Sequence, residues 1–292
     1  MTDDMKHGLI ARQGLTLEEV DEIAALAELC NQHEGLNMRL NLQVLRRRPV
    51  DEINDFLYYE HGSLIGYLAL FCFNNVEAEI SGMVHPEFRR RGIFTRLSQE
   101  AEAECQRRGV SQMLFIVERA SQAGQQFVQK IGAELHHSEY KMDLATPVLI
   151  SAESSELSIR AARDEDGPIL NKLTQEGFEV PYEVNWYGEG KADPSRPVYV
   201  AERGQTIVGK IDINLQDTSA MIYGFVVARE YRGKGYGRYI LSRVVQHLWN
   251  SGYRAIALEV IPENSRALNL YRSCGFRETA HYDYYGKAVK GR

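Results

Sequence analysis

Two basic, glycine-containing loops recur in this chain at a constant offset of 143 residues. That recurrence constrains the fold more than any average property. Arg89, Gly92, Val117 and Gly132 of one copy match Arg232, Gly235, Val260 and Gly275 of the other, with no insertion between them. A register kept over so long a stretch points to two tandem domains of one fold. At 292 residues the chain is long enough to give each copy its own core.

The elements around the two loops follow one order. In the first copy, apolar spacing predicts a helix over 15–29 capped by Thr16, then strands over 53–59, 64–73 and 78–84. A helix over 93–107, a strand over 113–117, a helix over 123–131 and a closing strand over 140–144 complete it. Pro147 and a Ser/Glu-rich run mark 147–156 as a linker between domains at 1–146 and 157–292. The second copy predicts a strand over 157–160, a helix over 164–175, and strands over 198–202, 206–214 and 221–227. The loop and its helix follow, then a strand over 255–260, a helix over 265–273 and further strand after Phe276. Successive strands with a few flanking helices indicate an α/β fold in which each domain holds a mixed, mostly antiparallel sheet flanked by helices.

The second loop has the makings of an anion cradle. Phe225, Val226 and Val227 end an apolar strand. Gly233, Gly235 and Gly237 then let a ligand approach the main chain. The amides that open the helix at Tyr236 have no partners within it and, with the helix dipole, favour a phosphate. Arg232, Lys234 and Arg238 add positive charge. The spacing is not Gly-x-Gly-x-x-Gly, and no Gly-Lys-Ser/Thr ending marks a P-loop.

Arg232-x-x-Gly235-x-Gly237 after a strand ending in Val-Val resembles the pyrophosphate loop of the GNAT superfamily of acyl-CoA-dependent N-acetyltransferases. Leu258-Glu259-Val260, Asn264, Ala267, Leu270-Tyr271 and Gly275-Phe276 are similar to that family's second cofactor segment. The resemblance covers nearly the whole chain and implies acetyl-CoA as donor, held by Phe225, Val227, the loop residues 232–238 and Asn264. Asn264 is also a ready helix N-cap. The Glu259 and Tyr271 pair is similar to that of the ribosomal-protein alanine N-acetyltransferases, where it implies a general base and a general acid. Glu259 lies between Leu258 and Val260, where burial would favour proton acceptance. A phenol at Tyr271 would protonate the departing thiolate. The oxyanion donor implied by the family is a main-chain amide at the end of 225–227.

The first copy departs at the positions that carry this chemistry. Phe94 stands where Gly237 stands, Ile116 replaces Glu259, and Val128 replaces Tyr271. A bulky Phe94 is expected to block the cradle, which makes the first domain non-catalytic, although Glu77 or Glu79 remains open as a base there.

For the acceptor, the stretch 178–189 after the first helix of the second copy combines carboxylates and rings suited to a cationic amine. Glu179, Tyr182, Glu183 and Trp186 are the candidates, with Tyr284 as a further wall. A net charge of −6 disfavours nucleic acid as a partner. The longest apolar run, near residues 67–73, falls far short of the roughly 20 residues of a membrane span. Four scattered cysteines suggest free thiols in a cytoplasmic protein, and no metal site is indicated. The expected activity is acetyl transfer to a primary amine of a small molecule. A protein N-terminal acetyltransferase and a non-catalytic acyl-CoA sensor are the alternatives. Tandem architecture is also similar to that of mycothiol synthases.

Overall fold

A computed structural model describes residues 6–48, 50–72, 76–147, 156–178, 185–188, 190 and 193–290. The chain folds into two compact units, Met1–Ser138 with Ala280–Arg292, and Glu139–Thr279.

The first copy supplies β1 (Gly8–Arg12), α1 (Leu17–Glu34), α2 (Leu42–Arg46), β2 (Asp55–Glu60), β3 (Ser63–Cys72) and β4 (Glu77–Val84). These are followed by α3 (Ile93–Arg108), β5 (Gln112–Glu118), α4 (Gln122–Lys130) and β6 (Glu134–Leu144). The start of α1 is fixed as the sequence implies. Thr16 accepts from the Glu19 amide while the Glu19 carboxylate accepts from the Thr16 amide, closing a capping box. Neighbouring strands β1 to β4 pair antiparallel and β4 pairs with β5 parallel. Helices cover both faces of this sheet. Val20, Ile23 and Leu26 of α1 pack on Leu57 and Ala69. On the other face Leu97, Ala101 and Cys105 of α3 pack on Leu68, Leu70 and Ile80.

The second copy supplies β7 (Leu157–Ala161), α5 (Gly167–Phe178), β8 (Val198–Arg203), β9 (Thr206–Gln216), β10 (Ser219–Val227), α6 (Tyr236–Asn250), β11 (Ala255–Val260), α7 (Ser265–Ser273) and β12 (Phe276–Ala288). Strands β7 to β10 pair antiparallel and β10 pairs with β11 parallel, repeating the first pattern. Ile240, Leu241 and Val244 of α6 bury against Ile211, Ile213, Ile222 and Leu258. Truncation of a fully buried leucine such as Leu241 costs about 2–5 kcal/mol. Leu173 of α5 covers the opposite face at Val226 and Ala228.

The closing strands trade places. Tyr140–Asp143 of β6 pair antiparallel with β11, and residues 282–288 of β12 pair with β5. Each unit is therefore finished by a strand from the other copy, and the compact units cross the sequence division at 147–156. Most of that linker stretch, residues 148–155, lies outside the described residues. Among the described residues no helix is long and apolar enough to cross a membrane.

Candidate active site

The glycine loop of the second unit is built as its sequence demands. A single turn of 3-10 helix over Arg229–Tyr231 follows β10. Gly233 and Gly235 then take φ of 76° and 81°, conformations that a Cβ disfavours. No side chain caps the start of α6, which leaves its first amides open to an anion. Arg232 does not point into that opening through its Nε, which donates to the Val227 carbonyl at 2.8 Å and ties the loop to the strand. Lys234 lies over the Tyr231 ring, 5.2 Å from its centroid, and Arg238 is exposed. Tyr236 reaches Glu156 at 3.3 Å.

Below the loop, β10 and β11 part. Their pairing runs from Ser219–Ala255 to Ile222–Leu258, yet β10 continues to Val227 and β11 to Val260. Phe225 and Val227 line the α6 side of the opening with Leu270. A Cβ on Gly237 would sit 3.2 Å from Leu270 and 3.9 Å from both Phe225 and Val227. Glu259 is the first β11 residue past the last pair with β10, half-buried between Leu258 and Val260, which are both in the core. Tyr271, on α7, packs against the same core with its ring 6.4 Å from that of Phe276. Burial, with a smaller contribution from the Cys274 charge, pushes its phenol up to about 12, so it stays protonated across the neutral range. Asn264 accepts from the Ala267 amide at 3.1 Å and caps α7.

The acceptor candidates are divided. Glu179, Tyr182 and Glu183 lie outside the described residues. Trp186 is 55% exposed, and its amide donates to Asn171 of α5 at 2.8 Å. Tyr284 belongs to the first unit. It pairs with Ile116, takes a hydrogen bond from Arg39, and stacks on His137 at 4.1 Å. Tyr284 thus belongs to a different compact unit from Glu259 and Tyr271.

A group that sequence reasoning missed lies where β10 begins to diverge. Register shifts by one residue between Tyr223 and Val226, which makes a bulge around Gly224. Opposite it, the fully buried Lys210 donates to Asp212 at 2.7 Å and to the Tyr187 hydroxyl at 2.6 Å, and Tyr187 donates to Asp212. Burial pushes the Asp212 carboxyl up and the Lys210 ammonium down. Gly224 has φ of 54°, and a Cβ there would overlap the Asp212 carboxylate. A lone glycine inside an apolar strand was the available signal for the bulge.

In the first unit the loop is copied closely. Arg90 takes φ of 67° where Gly233 stands, and Gly92 caps α3 with φ of 80° and no side-chain cap. Arg89 Nε donates to the Val84 carbonyl at 3.1 Å, and Arg91 lies over Phe88 at 4.7 Å. The expected obstruction by Phe94 is corrected. Its ring edges onto Phe127 and lies against Gly82, the residue matching Phe225, so it fills the room that Gly82 leaves. A cavity of about 640 Å³ remains between β4 and β5, lined by Gly82, Phe94, Ile116, Val128, Arg89 and Glu118 among others.

A family model described as Acetyltransferase (GNAT) family matches residues 21–133 and again 167–276. The chain therefore belongs to the GNAT acetyltransferase family, twice over, and is an acyltransferase. It is 25% identical over 291 residues to a mycothiol acetyltransferase of Streptomyces griseus, across 92% of this chain and 91% of that one. A spermidine N(1)-acetyltransferase of Vibrio cholerae is 29% identical over 144 residues, covering 44% of this chain and 83% of the relative. Among solved structures, a GCN5-related N-acetyltransferase from Sphaerobacter thermophilus superposes with a TM-score of 0.81 at 20% identity over 97% of both chains. A tandem GNAT protein from the clavulanic acid biosynthesis pathway gives 0.69 at 17% identity, covering 97% of this chain and 99% of that one. These structural likenesses describe the fold.

Proposed function

We propose that the second unit transfers an acetyl group from acetyl-CoA to the primary amine of a small molecule. The observation that carries this reading is the opening between β10 and β11. It lies below an uncapped helix start, and Glu259 is the first residue of β11 beyond the last strand pair. The amides at the start of α6, with Lys234 and Arg238, hold the pyrophosphate. Phe225, Val227 and Asn264 flank the pantetheine arm, and the backbone at the end of β10 offers the oxyanion donor. Glu259 takes one proton from the ammonium, the neutral amine then attacks the thioester carbonyl, and the nitrogen loses its second proton as the tetrahedral intermediate collapses. Tyr271, kept protonated by burial, donates to the thiolate as the carbon–sulfur bond breaks. The products are an amide and free CoA.

The first unit, with Ile116 and Val128 in place of that pair, does not catalyse transfer. A small acceptor fits the relatives named for mycothiol and spermidine. The protein-acceptor alternative finds a relative in the ribosomal protein bS18 alanine N-acetyltransferase of Escherichia coli, 24% identical over 129 residues. Free thiols at Cys30, Cys72, Cys105 and Cys274 support a cytoplasmic setting. The test is thiol release from acetyl-CoA with spermidine, glucosamine, cysteine methyl ester and an Ala-initiated peptide, for the native protein, Glu259→Gln and Tyr271→Phe. Turnover with a small amine that falls about 10²–10⁴-fold in each variant supports the assignment. Unchanged turnover refutes the two roles, and turnover of the peptide alone refutes the small acceptor.

A further inference from the structure

We propose that Asp212, Lys210 and Tyr187 are positioning residues for the acceptor half of the second unit's site, seating residues 185–188 against the β10 bulge. The inference rests on the donor-site reading above.

Three observations lead to it. The first is geometry. Asn171 holds both the Trp186 and Tyr187 amides through one oxygen and donates to the Tyr187 carbonyl, so α5 fixes the backbone of this segment. The Tyr187 hydroxyl then reaches down to Lys210 and Asp212 on β9. Asp212 pairs in register with Tyr223, the β10 residue that precedes the bulge, and its carboxylate occupies the space a side chain at Gly224 would need. One cluster therefore touches both the segment after α5 and the strand whose divergence makes the donor opening.

Stability does not account for it. Burying an ammonium and a carboxylate costs several kcal/mol per ion, and well-packed apolar residues would serve the fold as well or better. Asp212 Oδ1 is moreover buried with no hydrogen-bond partner among the described residues, a further cost to the fold.

The third observation is the internal control that the repeat provides. In the first unit the residues matching Lys210, Asp212 and Gly224 are Tyr67, Ala69 and Ser81. There β3 and β4 pair without a register shift. The bulge occurs in the copy that keeps Glu259 and Tyr271, whereas the unbulged first unit buries a cluster of another kind, in which Tyr67 donates to Asp55 and Arg48 pairs with Asp55 at 3.1 Å, with Ala69 in the place of Asp212.

Tyr187 also stands beside Trp186, and Asp212 pairs in register with the partly exposed Tyr223, whose phenol is pushed up by burial and then by the Asp212 charge. The exposed rings of Trp186 and Tyr223 suit an alkylammonium acceptor. A shift of the 185–188 segment would displace the amine relative to the thioester without touching the donor loop.

The experiment compares the native protein with Tyr187→Phe and Asp212→Asn. Thermal melting, acetyl-CoA affinity by calorimetry, and steady-state constants for the best amine among spermidine, glucosamine and cysteine methyl ester are read in each. Loss of the Tyr187 hydroxyl should raise the amine KM about tenfold, with kcat and acetyl-CoA affinity within about twofold. Asp212→Asn, which leaves Lys210 without its counter-charge, should move the amine KM further in the same direction. Normal acetyl-CoA binding with an unmoved amine KM overturns this inference alone, as does a parallel loss of melting temperature, donor affinity and kcat. Failure of the native protein to bind acetyl-CoA overturns the donor-site reading and this one with it.

Discussion

In the first unit β4 pairs in register with β3 up to Val84, ahead of the glycine loop, while in the second β10 gains a residue at Gly224 opposite a buried ion pair. The loops above these strands are nearly superimposable in kind. Each has a left-handed residue two before the cap, a left-handed glycine at the cap, an arginine tied to the preceding strand, and a cation over a ring. Duplication has kept the anion cradle twice, and the divergence lies beneath it. The lesson is that a glycine loop reports where a cofactor can sit, whereas the strand floor and two side chains decide whether anything is done to it.

The sharpest way to break this comparison is to exchange the reacting positions. Glu259→Gln and Tyr271→Phe should each lower turnover about 10²–10⁴-fold. Ile116→Gln and Val128→Phe, at the matching sites, should leave it within about twofold. Steady-state thiol release measures both, and a large loss from the first-unit changes would move the chemistry to that unit.

Next in size is the exchange of rings. The second unit has Phe225 and Gly237 where the first has Gly82 and Phe94, and in each the ring takes the space beside the glycine. Gly237→Phe alone should cost about 1–3 kcal/mol from crowding Leu270. Phe225→Gly added to it should recover part of the loss, with a coupling of about 0.5–3 kcal/mol in urea unfolding. Simple additivity would show that the two positions do not share that space.

The smallest effect concerns acid stability. Hydrogen bonds from Arg160 hold Asp166 below its usual range, at the cap before α5. A depressed folded value means that this stabilisation is fully present above the unfolded pKa of about 3.9 and is lost as pH falls through the folded one. Arg160→Gln should therefore shift the acid unfolding midpoint upward, as followed by circular dichroism, while melting near neutral pH falls by less than about 1 kcal/mol. An unshifted midpoint would mean that Asp166 contributes nothing to acid tolerance.

Much of this architecture could be read before folding. The 143-residue register located both loops, both helices that follow them, and the strand that carries Glu259, because glycine spacing and apolar alternation are local signals. The exchange of β6 and β12 was hidden, since a strand's alternation is the same whichever sheet it completes. Tyr284 consequently reads from the sequence as a wall of the second copy's acceptor pocket, although its strand pairs with Ile116 in the first unit. Phe94 looked like an obstruction because it was compared with Gly237 alone. The compensating change, Gly82 for Phe225, lies across the sheet and becomes visible only in space. Lys210 and Asp212 alternate with Gly209, Ile211 and Ile213 as the outward residues of a half-exposed strand would, and nothing local shows that 187 returns to bury them.

The central claim is that acetyl transfer runs in the second unit on its own donor loop, and the acetyl-CoA dependence of steady-state turnover with a small amine tests it most directly. The native protein should be compared with paired charge reversals on exposed loop residues, Lys234→Glu/Arg238→Glu in the second unit and Arg90→Glu/Arg91→Glu in the first. The account predicts an acetyl-CoA KM raised about tenfold or more by the second-unit reversal and changed by no more than about twofold by the first. An acetyl-CoA KM raised by the first-unit reversal instead, or unmoved by the second-unit one, would contradict it.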